Sequence, residues 1–200
     1  MSAPNASLLI PSDDTDHQTV ALRGCIEGID HASGAALSNF EQIAACDDYV
    51  AIAEDKVQPT YTRAVHLFEN GITEAHQEQA YQDFTFVIDA GSTNPSAYAN
   101  RALLNMRYRN APDAALADMS AAIDLREDNP RASYFERRAA ILLVLAWELK
   151  DEAHVHGALE DVRRAQALNP DSRRLTALKD TAADVLRRLH IDAGQDVQKG

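Results

Sequence analysis

His154 and His156 are the residues best suited by type to hold a metal ion or move a proton, yet their spacing works against both. Two positions apart on a helix, they point about 200° from one another and cannot share one metal. They read instead as histidines of a loop or helix start. The acids Glu41, Asp47 and Asp48 share one helix, and acids on an exposed face need no function. Serine and histidine occur without a nucleophile elbow, and no glycine-rich loop is present to cradle a phosphate. Cys25 and Cys46 have no metal-ligand spacing. They fall on neighbouring helices, where they form either a disulfide across a helical hairpin or two free buried thiols. No catalytic, cofactor-binding or metal residue is assigned, and the expectation is a protein that binds and does not catalyse. An enzyme whose site lies unrecognised in the N-terminal helices is the least favoured reading.

The elements that would position a binding surface are helices. Of 200 residues, 46% are apolar, which excludes wholesale disorder, and 8 glycines, 7 prolines and 6% aromatics argue against a β-sandwich or barrel. The net charge of −12 makes nucleic acid an unexpected partner, because an acidic chain is repelled by a phosphate backbone. The charge is graded along the chain: −8 over residues 1–60, −5 over 61–130 and +1 over 131–200. Membrane insertion is not expected, since the longest apolar run, Ala139 to Trp147, has nine residues where a span needs roughly 20. Residues 1–10 have neither the positive charge nor the apolar core of a signal peptide. A cytoplasmic location is therefore favoured, or an exported one if a signal has been removed.

The chain repeats itself. An offset of 35 brings Ala80, Asp83, Ile88, Asp89, Asn94 and Pro95 onto Ala115, Asp118, Ile123, Asp124, Asn129 and Pro130. A further offset of 43 brings Asp118, Ala122 and Leu125 onto Asp161, Ala165 and Leu168, followed by Asn169-Pro170. Each unit reads as two helices. The first are predicted at 60–70, 97–109 and 132–150, the second at 74–90, 112–126 and 153–168. Tyr61, Tyr98 and Tyr134 open the first helices, and Arg63-Ala64, Arg101-Ala102 and Arg137-Arg138 follow. Thr73 and Asn110 are placed as helix caps, Pro112 suits a first turn, and Asn-Pro ends each unit. Ahead of the repeats, a helix from Ser12 or Thr15 to about Asp30 is expected. Another runs from the capping-box sequence Ser38-Asn39-Phe40-Glu41 to about Lys56.

The run Ala97-Tyr98-Ala99-Asn100-Arg101-Ala102, with Ala115-Leu116-Ala117-Asp118-Met119, Ala122-Ile123-Asp124-Leu125 and Asn129-Pro130, resembles the tetratricopeptide repeat. Ala158 to Ala165 with Asn169-Pro170 is similar to the second helix of that repeat, and the whole looks like a bacterial member of the family. Ala102 and Arg138 stand where the family prefers glycine. The resemblance implies an all-α, right-handed superhelix of antiparallel hairpins. Its expected parts are an acidic segment at 1–16, a hairpin at 17–57 that reads as a degenerate repeat, and three units at 59–95, 96–130 and 131–174. A capping helix at 175–190 and a tail at 191–200 complete it.

It also implies a non-catalytic interaction module whose first helices line a concave groove. On that alignment the groove residues are Thr62, Arg63, His66 and Glu69, then Ala99, Asn100, Leu103, Met106 and Arg107, then Phe135, Glu136, Ala139 and Leu142. Asn100 would hold a ligand backbone. Leu103, Met106 and Phe135 would give apolar contact, while Arg63 and Arg107 would meet acids on the partner. The arrays of this family that grip acidic chaperone tails carry lysine and asparagine where this chain has Val65 and Glu69, and lysine and arginine where it has Ala132 and Glu136, so only Asn100 matches that pattern. The alternative is a small chaperone of a secreted or membrane partner. The apolar run raises a second surface around Leu145 and Trp147, for a partner or for self-association, unless later helices cover it.

Overall fold

The computed structural model describes residues 19–28, 30 and 33–197, with side chains described as far as residue 190. The expected segment 1–16 and the last three residues of the expected tail lie outside it. Among the described residues the structure is all-α, without a strand. A short helical stretch ends in the π-helical turn Arg23–Glu27. Eight α-helices follow: α1 (Asn39–Ile52), α2 (Val57–Asn70), α3 (Glu74–Asp89), α4 (Pro95–Arg107), α5 (Pro112–Asp124), α6 (Ala132–Leu149), α7 (Glu152–Leu168) and α8 (Arg173–Val197). The chain forms two compact units, the first ending at Ala90 and the second beginning at Gly91. None of the described helices is long and apolar enough to cross a membrane.

In the first unit α1 packs on the π-helical turn and on α2, and α2 pairs with α3. A disulfide between Cys25 and Cys46 fastens the turn to α1. The helices meet closely here: a Cβ at Gly24 would lie 2.7 Å from that of Ala45, so only glycine fits without a shift. Phe84 is fully buried, with Tyr61 and Phe68 edge-on at 6.2 and 6.3 Å between ring centroids.

In the second unit α4 pairs with α5 and α6 with α7, α5 meets α6, and α8 lies against both α6 and α7. Its core is built on small residues. Ala102, Ala115, Ala122, Ala139, Ala146 and Ala165 are all 0% exposed and let the helices approach, with Met119, Leu145, Val155 and Val162 filling the spaces between. Helix α6 has 18 residues against 13 in α4, which supplies five of the eight extra residues in the longer repeat offset. Helix α8 runs from Arg173 to Val197, beyond the expected cap at 175–190 and through most of the expected tail.

Local signals explain where the helices start. The Ser38 hydroxyl accepts from the Glu41 amide while the Glu41 carboxylate accepts from the Ser38 amide at 2.8 Å, a full capping box for α1. Thr73 caps α3, Asn94 caps α4 with Pro95 in its first turn, and Asp151 caps α7. The Asn94-Pro95 that closes one unit of sequence therefore opens the next helix. Asn110 does not cap α5 as its sequence suggests. It turns the chain with a left-handed φ of 47°, and Ala111 stands at the cap without a side-chain bond.

Bonds from the Ser38 side chain, then its backbone, hold the Glu41 carboxyl below its ordinary value of 4.5. A lowered folded pKa gives stability that is present above the unfolded value and lost as pH falls, so the cap weakens from about pH 4.5 downward. Ser38→Ala is expected to cost about 1 kcal/mol of first-unit stability at neutral pH. Urea denaturation at pH 7 and pH 3 checks both: the loss should shrink at the lower pH, and an equal loss at both would remove Glu41 from the cap.

Candidate functional site

One polar device recurs in the three hairpins α2–α3, α4–α5 and α6–α7. The Arg63 Nε and Nη2 donate to the two carboxylate oxygens of Asp83 at 2.8 Å each, joining α2 to α3. Arg101 holds Asp118 in the same two-pronged way at 2.9 and 2.7 Å, joining α4 to α5. Arg138 holds Asp161 at 2.7 and 2.8 Å, joining α6 to α7. The three aspartates are 3%, 7% and 2% exposed, so burial without these partners would leave a charge uncompensated. Bonds to Asp83 and to Asp161 raise the pKa of Arg63 and of Arg138 against the opposing effect of burial. The remaining nitrogen of Arg63 reaches Asp47 on α1 at 2.9 Å, and that of Arg138 reaches Ser120 on α5 at 3.3 Å. Arg63 is thus committed within its own unit, where the sequence had it facing a partner.

These pairs fix the register of the third hairpin. Arg63-Ala64, Arg101-Ala102 and Arg138-Ala139 correspond, each alanine being fully buried against the second helix. The residue before the paired arginine is then Thr62, Asn100 and Arg137 in turn. The expected groove set was one position out in both α2 and α6, where it put Arg63 and Glu136 at the place of Asn100. Phe135 and Glu136 are each 6% exposed and Ala139 is 0% exposed, so they offer a partner little surface. Phe135 packs into the core with Leu175 and Val162. On α4 Asn100, Leu103 and Met106 are half-buried and Arg107 is exposed, at helical spacing along one face, while Ala99 of the expected set is buried. The side chain of Asn100 makes no hydrogen bond among the described residues. His66 lies half-buried on α2 in the first unit.

Sequence reasoning passed over Arg137, on α6, and Arg174, in the first turn of α8. The signal for Arg137 was its offset of 37 from Asn100, obscured by the adjacent arginine. Burial, then the nearby Arg174, holds the Arg137 guanidinium below its ordinary value. Arg107 adds to the depression, while Tyr134 and Glu136 oppose it.

Other residues fall to structural roles. The His154 ring donates from Nδ1 to Asp151 Oδ2 over 2.8 Å in the first turn of α7, and His190 meets Glu152 at 2.8 Å. No group of acids, histidines or cysteines suited to a metal occurs among the described residues. Leu145 is 1% exposed and belongs to the core with Met119, so it lines no second surface. Trp147 is 41% exposed, with the Lys150 ammonium 3.4 Å from its ring centre. A cleft of about 300 Å³ lies beside the Arg138–Asp161 pair, lined also by Leu116, Leu142, Gly157 and Arg164. Comparison of the chain with protein-family models, with curated proteins and with solved structures finds no match in any of the three.

Proposed function

We propose that the chain is a bacterial-type tetratricopeptide-like array whose hairpins stack into a right-handed superhelix, and that it works as a non-catalytic adaptor for another protein. The observation that carries the reading is the contrast on α4. Arg101 is engaged inside the hairpin, while next to it Asn100 and Leu103 stay half-exposed, Arg107 is exposed and Asn100 has no partner among the described residues. Such a face combines one amide that can donate and accept with apolar and cationic groups, the chemistry needed to hold a peptide or helix in a groove.

The test is affinity capture with the wild type and an Asn100→Ala, Leu103→Glu, Met106→Glu triple variant, both checked for helicity by circular dichroism. A protein held by the first and lost by the second supports the adaptor. Capture that is equal for both removes this face from the function. Asn100→Ala alone should change stability by no more than about 0.5 kcal/mol, as exposed sites do. The second reading, a small chaperone of a secreted or membrane partner, is favoured by the Cys25–Cys46 disulfide, since such bonds persist in oxidising compartments. Thiol counting on denatured protein taken from its native source checks it, two free thiols counting against that reading.

A further inference from the structure

The three buried aspartates are not served equally. Besides the Arg63 fork, Asp83 takes a hydrogen bond from the Gln79 carboxamide at 2.9 Å, and Asp118 takes one from the Asn105 carboxamide at 3.1 Å. Gln79 stands four residues before its aspartate on the second helix of its hairpin, and Asn105 four residues after its arginine on the first. In the third hairpin those two places fall to Gly157 and Leu142, neither of which has a side-chain donor. Asp161 is the least exposed of the three aspartates, at 2%, and among the described residues its side chain meets Arg138 alone. Gly157 and Leu142 both line the cleft beside that pair, so the cleft opens where the other hairpins place their amide. Packing does not explain the glycine. A Cβ there would meet only Leu142, at 3.5 Å, which is ordinary contact, and α5 has Ala114 at the same place. Glycine inside a helix is nonetheless less stable than alanine.

We propose that this cleft binds a primary carboxamide of the glutamine kind from another molecule, the amide N–H donating to Asp161 as that of Gln79 does to Asp83. At about 300 Å³ the cleft is at the small end for ligand sites, with room for one side chain or one amino acid. A carboxylate has about four acceptor positions, and the Arg138 fork takes two of them, so Asp161 can accept the further donor. The amide oxygen would accept from the Ser120 hydroxyl, whose oxygen accepts from Arg138 and whose proton is left to donate. Leu116 and Leu142 would cover the methylenes of the ligand. At the rim Glu160 and Arg164 offer one charge of each sign, partners for the ammonium and carboxylate of a free amino acid that a peptide side chain would not need. A carboxylate in place of the amide would bring like charge to Asp161 and is rejected. The site lies on α5, α6 and α7, apart from Asn100 and Leu103, and does not rest on the adaptor reading.

The test titrates the full chain with N-acetylglutamine methylamide, followed by NMR, against the corresponding glutamate and methionine compounds. The glutamine compound should bind at least about tenfold more tightly than either, the worth of one hydrogen bond to a charged acceptor. Equal binding by all three, or binding by none, overturns the site. Gly157→Gln should supply the amide from within. It is expected to abolish this binding and to melt at a higher temperature than Gly157→Met, whose side chain is similar in length and helix propensity but lacks the amide. A glutamine variant that binds as the wild type does, or melts no higher than the methionine one, also overturns the site. If Gly157→Gln does not fold, Leu142→Asn places the amide as Asn105 does and should likewise abolish binding, while retained binding ends the proposal. Free L-glutamine bound more tightly than the blocked compound assigns the amide to an amino acid held by Glu160 and Arg164. Free L-glutamine bound more weakly assigns it to a side chain of a partner protein.

Discussion

Replacing Asp161 with alanine is expected to destabilise the second unit by about 3 kcal/mol, because it strands the Arg138 guanidinium between helices with no carboxylate to meet it. The loss should far exceed that for Asp184→Ala, whose partners Arg187 and Arg188 are 65% and 59% exposed and whose ion pairs are screened. Trp147 is the only tryptophan and lies in α6, so its fluorescence in urea reports the unit concerned. The paired change Arg138→Met, Asp161→Leu should recover most of the loss, since replacing both charges by apolar groups of similar volume removes the desolvation as well as the attraction. A single-variant loss below about 1 kcal/mol would show that water reaches Arg138 freely, and the recurring pair would then be registration without much energy.

Leu145→Ala should cost a similar amount, about 3 kcal/mol, from lost burial and from the cavity left beside Met119 and Ile141. Leu149→Ala, four residues along the same helix and 58% exposed, should stay within about 0.5 kcal/mol. The pair distinguishes a core position from a surface one on a helix that is apolar on most sides. Equal small effects would mean that Leu145 is accessible in solution, and the docking surface expected around it would return.

Helix existence and ends were largely legible, because each end has a local cause. Ser38 with Glu41, Thr73, and Asn94 with Pro95 act through bonds to the next few residues, and a linear reading finds them. Asn110 shows the limit: the same residue type suits a cap or a left-handed turn, and only the path of the chain decides. The site was legible in part. Asn100, Leu103 and Arg107 share one face of α4, and the sets expected in α2 and α6 each stand one residue out of register with it, in the third hairpin for a visible reason. Two arginines in succession gave the alignment no means of choosing. The choice is made by Asp161, 23 residues away in sequence and reached only through folding. Leu145, unlike the exposed Trp147, was misjudged because periodicity measures which faces are apolar and not how many neighbours cover them.

The arginine that locks each hairpin has a bearing on how such a chain can grow. Its costly bond, to the buried aspartate, is made within the hairpin that supplies it. The bond backward is undemanding, satisfied by a carboxylate at Asp47 in one case and a hydroxyl at Ser120 in the other. A duplicated or transplanted hairpin would therefore bring its own counter-charge and ask its new neighbour only for a short acceptor. Arrays of this kind can lengthen or exchange modules by recombination at the Asn-Pro junctions without stranding a charge, while a cut inside a hairpin would strand one at once.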